Sequence, residues 1–105
     1  MSTKNLTTRD IEKLYGPLTF GSLLKAHREG DELTQVEMAK KIKLSKQALN
    51  DIENGRKIPS ISRAVALAKK VGILPELAVE LVLQDQLNRE KLKMTVKVSS
   101  GDKAA

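Results

Sequence analysis

Apolar residues recur at spacings of three and four along most of the chain, the period of helices that turn one face inward. From about Thr19, Phe20, Leu23, Leu24 and His27 share a face, and Gly30-Asp31-Glu32 ends that run. Met38, Ala39 and Ile42 point inward on the next run, which opens at Thr34-Gln35-Val36-Glu37. That tetrad is a capping box, in which each side chain satisfies an orphan backbone N–H of the other residue. Ser45 caps a further helix with Ala48, Leu49 and Ile52 inward, and Asn54-Gly55 closes it, because glycine adopts the left-handed cap conformation without penalty. After Ile58-Pro59-Ser60, the residues Ile61, Ala64, Leu67, Ala68 and Val71 predict another helix, stopped by Gly72. Pro75 suits a first-turn position and starts the last helix, expected to reach about Leu92.

The two ends of the chain are less regular. Thr7 or Thr8 can cap a short helix to about Tyr15, which Gly16-Pro17 breaks. Met94, Val96 and Val98 alternate with Thr95, Lys97 and Ser99, a strand-like pattern too short to anchor a sheet, and residues 99 to 105 read as disordered. The expected fold is all-α, a compact bundle of five to six short helices. Its expected divisions are an N-terminal extension (1–18), a helical domain (19–92) and a tail (93–105).

Composition supports this picture and narrows the chemistry. At 105 residues there is room for one core, and with aromatics at 2% it must be built from Leu, Ile, Val and Ala. Without cysteine there are neither disulfides nor thiolate metal sites, as in a reducing cytosol. A polar start at Met1 to Thr8 and an apolar stretch no longer than Leu77 to Leu83 argue against a signal peptide and a membrane span, so the expected location is cytoplasmic. His27 is the sole histidine and sits on an apolar face, so a core or edge role is expected of it rather than metal binding. No nucleophile–base pair or glycine-rich phosphate loop is evident. Neither an enzyme nor a cofactor is expected.

Charge changes the picture more. The net formal charge is +6, and the segment from Lys40 to Lys70 alone carries +7. An acidic polymer is the natural partner for such a block, although a merely solvated basic face has the same signature. Within the block, the helix capped by Ser45 turns outward only Lys46, Gln47, Asn50, Asp51 and Asn54. These side chains reach far enough to meet base edges, with Gln and Asn suited to adenine and Lys to guanine. The small Ala39 lets this helix cross its predecessor closely, while Ile42, Leu49 and Ile52 lock the crossing.

The segment from Leu33 to Ser60 resembles the helix-turn-helix of the phage-repressor family (Cro-like, XRE type). The family pattern is matched by Leu33-Thr34-Gln35, Ala39, Ser45, Leu49, Ile52-Glu53-Asn54-Gly55 and Pro59-Ser60. The resemblance spans about residues 20 to 72. It implies a lambda-repressor-like fold, with a short C-terminal extension here, that binds double-stranded DNA. It also implies that Gln35 bonds a phosphate and braces the recognition helix. Lys46, Gln47 and Asp51 are then placed toward base edges, with Asn50 close by, and Asn54, Arg56 and Lys57 toward phosphates, which position without reading sequence; Ser45, the cap of this helix, is counted among the DNA-binding residues. Arg28 and Glu53 match a buried family ion pair. Two positions depart from the pattern. Lys43 stands in the turn where glycine is usual, at a cost of about 1 kcal/mol, and Glu32 replaces the glycine before Leu33, with Gly30 nearby as a substitute. Asp51 has two readings: it accepts from cytosine N4, or it faces a neighbouring Lys or Arg.

The last helix carries two apolar stripes, Leu77/Ala78/Leu81/Val82 and Val79/Leu83/Leu87. One closes the core; the other marks a homodimer surface or lies inside a thicker bundle. A homodimer suits an operator whose half-sites are about 34 Å apart. The alternating tail can add a strand to a partner. Together with the Tyr15–Gly21 opening and the Leu83–Leu87 stretch, it resembles antitoxins of toxin–antitoxin operons, which implies a toxin protein as a further partner. The expected function is a sequence-specific DNA-binding regulator, dimeric and autoregulating, either such an antitoxin or a stand-alone prophage-type repressor. The reading from another class is an interaction adaptor that has lost DNA binding.

Overall fold

The five helices between Phe20 and Arg89 all stop by the same device. The computed structural model describes residues 12–14 and 16–99, and its helices are α1 (Phe20–Gly30), α2 (Gln35–Ile42), α3 (Lys46–Glu53), α4 (Ile61–Val71) and α5 (Pro75–Arg89). After each of them one residue takes a left-handed conformation: Glu32 (φ 58°), Lys43 (61°), Gly55 (76°), Gly72 (87°) and Lys91 (61°). The next backbone N–H then reaches back to a carbonyl of the last turn. These bonds are Leu33 to Arg28, Leu44 to Ala39, Arg56 to Asp51, Ile73 to Ala68 and Leu92 to Leu87, all 2.9–3.1 Å. This is the Schellman motif, which satisfies carbonyls that the helix leaves orphaned. Only two of the five left-handed positions are glycine. Lys43 therefore plays the part the sequence assigned to it, whereas Gly30 does not substitute for the missing glycine: it stays helical and Glu32 itself bends.

The starts are capped as well. Thr34 accepts from the Glu37 N–H (3.1 Å) and Glu37 accepts from the Thr34 N–H (2.8 Å), the reciprocal pair expected of the capping box. Those bonds hold the Glu37 carboxyl below its ordinary range, the Thr34 backbone N–H first among the causes. Thr19 and Ser22 form a second box at α1, and Ser45 and Ser60 cap α3 and α4.

The described residues fall into two compact units, divided between Ile58 and Pro59. In the first, α1 and α2 each pack on α3. Phe20, Leu24, Met38, Ile42 and Leu49 are fully buried there. Gly21 makes the closest approach, since a Cβ on it would run into the backbone carbonyl of Ile52. In the second unit α4 packs on α5, and Ala64, Leu67, Ala68, Val71, Ile73, Ala78, Leu81 and Val82 are buried. Ile61 was expected inward but is 42% exposed. It is the first residue of α4, and its side chain leans past the helix start rather than onto a neighbouring turn.

No strand forms among the described residues, which corrects the strand-like reading of the tail. Exposure alternates only from Thr95 to Ser99, with Val96 and Val98 half-buried and Thr95, Lys97 and Ser99 exposed, whereas Met94 is 60% exposed. The backbone partners of this segment, however, are side chains of α5. Gln84 Nε2 donates to the Met94 carbonyl (2.8 Å), and the N–H groups of Val96 and Val98 donate to Gln84 Oε1 (2.9 Å) and Glu80 Oε1 (3.0 Å). One turn apart on the helix, Glu80 and Gln84 act as a ladder that a second strand would otherwise supply. Val79, Leu83 and Leu87 on α5 are half-buried. Residues 12–14 are helical and the Gly16 N–H bonds to the Glu12 carbonyl (2.8 Å), while the Thr7 or Thr8 cap and the reading of residues 100–105 lie outside the described residues.

Candidate nucleic-acid interface

A helix of eight residues is marginal in isolation, so α3 owes its existence to what ties it down. Its inward side is apolar, with Leu49 and Ile52 buried, except for Glu53. The Glu53 side chain is 1% exposed and meets Arg28 of α1 in a fork, Nε to Oε2 at 2.7 Å and Nη2 to Oε1 at 3.1 Å. Arg28 Nη1 also donates to the Leu33 carbonyl (2.9 Å), so one guanidinium joins α1, the following turn and α3. The ion pair implied by the family resemblance is present and buried.

Gln35, at the start of α2, completes this tie. Its Nε2 donates to Glu53 Oε1 (3.0 Å) and to Asn50 Oδ1 (3.2 Å). Gln35 therefore ties the start of α2 to α3. Asn54 Nδ2 donates to the same Asn50 oxygen (2.9 Å) and to the Asn50 carbonyl (2.9 Å). With Oδ1 engaged from two sides, the Asn50 amide is held in one plane and its NH2 group remains as a donor.

The outer side of α3 is organised around Asp51. Asp51 Oδ1 accepts from Gln47 Nε2 (3.0 Å) and from Arg56 Nε (2.9 Å). The Arg56 hydrogen bond, first among several causes, holds the Asp51 carboxyl below its ordinary range. Of the two readings of Asp51, the free protein has the one in which it faces an arginine. The Asp51 backbone carbonyl receives the N–H groups of Arg56 (2.9 Å) and Lys57 (3.2 Å), which folds the chain after Gly55 back beside α3. Ser45, Lys46, Gln47, Asn54, Arg56 and Lys57 are exposed, and Gln35, Asn50 and Asp51 are half-buried. All nine predicted positions therefore lie at the start of α2, at the cap of α3, along α3 or just beyond it. Lys40, Lys41 and Lys43 are exposed on the same unit, adding positive charge that attracts polyanions.

Sequence reasoning passed over Gly21, which fixes how closely α1 approaches α3. A glycine between Phe20 and Ser22 on a helical face was the available signal. Among the described residues no group of three or more His, Asp or Glu side chains is arranged to hold a metal, and no helix is long and apolar enough to cross a membrane.

Comparison with known proteins gives a consistent picture. Residues 24–77 match the helix-turn-helix family model. An immunity repressor protein of Bacillus phage phi105 is 45% identical over 56 residues, covering 53% of this chain and 39% of the repressor, so the chain spans about two-fifths of that relative. The ImmF control region 10 kDa protein of the same phage is 36% identical over 73 residues, covering 66% of this chain and 81% of the relative. No solved structure matches. A capped α2, a left-handed turn at Lys43 and a braced α3 with a polar outer face are the parts of a helix-turn-helix, and the chain belongs to the helix-turn-helix family of XRE type, a family of DNA-binding regulators.

Proposed function

We propose that this chain is an operator-binding repressor of the prophage-immunity kind, acting as a homodimer on the control region of its own gene. The observation that carries the reading is the outer face of α3, where polar side chains are held in fixed geometry beside exposed lysines and Arg56. Lys46 and Gln47 read base edges in the major groove, with Ser45, Asn50 and Asp51 on the same face. Gln35, Asn54, Arg56 and Lys57 hold the phosphates. The names of the two phage relatives, an immunity repressor and a control-region protein, favour immunity control. The half-buried stripe Val79, Leu83 and Leu87 supports pairing of two copies through α5.

The test is fluorescence anisotropy on DNA from just upstream of the gene and on a shuffled duplex, each at two salt concentrations. Preference of a hundredfold or more for the upstream DNA is expected. Equal binding to both, lost steeply with salt, would reduce the activity to general phosphate attraction. Absence of binding would favour the adaptor reading.

A second reading makes the chain the antitoxin of a toxin–antitoxin operon. It shares the DNA-binding step and is supported by the non-helical tail, where Leu92 and Met94 are exposed apolar side chains that a protein partner can cover. A toxin-like reading frame next to the gene, whose product co-purifies with the chain, would favour it over immunity control.

A further inference from the structure

We infer that Asp51 is a positioning residue that couples base reading to backbone grip, holding Gln47 and Arg56 on one carboxylate oxygen rather than touching a base itself. The inference rests on the DNA-binding reading above and specifies the division of labour on the face of α3.

The geometry is economical. Gln47 lies one helical turn before Asp51, so the two side chains are neighbours on the helix surface. Arg56 comes five residues after it, beyond the left-handed Gly55, and its own N–H is tied to the Asp51 carbonyl (2.9 Å). Backbone and side chain of Asp51 therefore both fix Arg56. The Asp51 side chain is 17% exposed and that of Arg56 54%, so the carboxylate lies behind and the guanidinium projects outward. Nε is the bonded nitrogen, which leaves the two terminal NH2 groups of Arg56 for a phosphate. Gln47 gives one amide hydrogen to Asp51 and keeps Oε1 and the other hydrogen, the acceptor and donor that suit adenine.

Two consequences follow for binding. A bare carboxylate beside DNA would repel phosphate, and the arginine neutralises it where it stands. Both partner side chains are also ordered before DNA arrives, which lowers the entropy lost in forming the specific complex. Removing Asp51 therefore has opposite effects on two measurable quantities. General affinity for DNA rises, and the salt slope steepens by about 0.9 as one net positive charge is released. Selectivity falls, because Gln47 loses its orientation.

The experiment uses a duplex selected by the wild-type chain from a randomised pool, with every base pair then substituted in turn. Wild type, Asp51→Ala, Asp51→Asn, Gln47→Ala and the Gln47→Ala/Asp51→Ala double variant are compared at two salt concentrations, with far-UV circular dichroism to verify folding. Asp51→Ala is expected to lose discrimination at least fivefold at the base pair that Gln47→Ala also affects, and the double variant is expected to be no worse than Gln47→Ala. Asp51→Asn keeps an acceptor for Gln47 but no charge for Arg56, so it should retain discrimination while steepening the salt slope. Loss at a base pair that Gln47→Ala leaves alone would make Asp51 a base reader and overturn the inference. An unchanged salt slope for Asp51→Ala would do the same, since Arg56 would not have been released. In the free protein, the Arg56 Nε–H resonance should move in Asp51→Ala; an identical resonance refutes the tie itself. Selection that returns no consensus overturns the DNA reading and this inference with it, and the Nε–H resonance, which needs no DNA, separates that failure from failure of the tie.

Discussion

Replacing Glu53 by alanine leaves Arg28, whose side chain is 10% exposed, without its principal acceptor. Three donors converge on that carboxylate: Arg28 Nε and Nη2 from α1 and Gln35 Nε2 from α2. Stranding one partner of a buried pair costs about 3–5 kcal/mol, mostly the uncompensated buried charge. A domain of this size has about 5–15 kcal/mol in total, so Glu53→Ala is expected to be marginally folded at 37 °C. Replacing both charges tells a different story: Arg28→Leu with Glu53→Leu removes the desolvation cost as well as the attraction, and is expected to lie within about 1–2 kcal/mol of wild type. Urea titration at pH 7 followed by far-UV circular dichroism gives all three free energies, provided the slopes agree. A loss below about 1 kcal/mol for Glu53→Ala would refute the reasoning, because it would mean that water reaches the guanidinium and the pair behaves as a surface one.

Lys43→Gly and Glu32→Gly relieve left-handed backbone strain, and each is expected to raise stability by about 1 kcal/mol, read as a higher thermal midpoint; a drop in either would mean that the long side chain contributes contacts that outweigh the strain. Gly21→Ala improves helix propensity by up to about 1 kcal/mol but drives a methyl group into the Ile52 carbonyl. Backbone cannot give way as a side chain does, so a net loss of about 1–3 kcal/mol is expected from urea titration. His27 is held below its ordinary value of 6.5 by burial, against a weaker opposing pull from Asp31. The unfolded chain then binds the proton more readily than the native one, so the His27 contribution is intact above pH 6.5 and is lost as pH falls from there through the depressed native value. Thermal midpoints of wild type and His27→Gln between pH 7 and 5 check this: the variant should show a shallower decline, and an equal decline would assign the effect to other groups.

Most of the helical framework was legible because the signals were local. The Thr34/Glu37 box, the Ser45 and Ser60 caps and the stripes of Met38, Ile42, Leu49 and Leu67 depend on neighbours three or four residues away. The left-handed stops were legible where glycine marks them, at Gly55 and Gly72, and through the family pattern at Lys43; the end of α1 was legible at Gly30-Asp31-Glu32, but not which of the three residues bends. At Glu32 and Lys91 the left-handed bend is closed by the backbone N–H of the residue that follows, Leu33 or Leu92, and a charged residue carries no outward sign of that strain. The tail misled for a related reason: Met94, Val96 and Val98 have the period of a strand, but period does not say whether the ladder partner is a strand or the side chains of Gln84 and Glu80. In the candidate site the resemblance implied the Arg28–Glu53 pair, while Asp51 was left between a base and a neighbouring Lys or Arg. Composition cannot tell that Asp51 turns to Arg56 five residues on, because that contact depends on the chain reversing at Gly55.

The same division predicts that, on the DNA-binding reading proposed for α3, recognition and stability are separable. Inward positions Leu49, Ile52 and Glu53 hold the helix in place, and a change there disturbs the fold and the interface together. Outward positions Lys46, Gln47 and Asn54 are exposed and contribute no apolar burial. Substitutions on that face are expected to move stability by no more than about 0.5 kcal/mol, while each good base contact discriminates by about 1–3 kcal/mol. Lys46→Ala with Gln47→Ala should therefore unfold at nearly the wild-type urea midpoint yet lose most of its preference for the upstream DNA over a shuffled duplex. Arg56→Ala should instead weaken both duplexes alike and flatten the salt slope by about one. If Lys46→Ala with Gln47→Ala lowered the urea midpoint as far as Glu53→Ala does, the outer face would belong to the core of the fold, and the separation of holding from reading would be wrong.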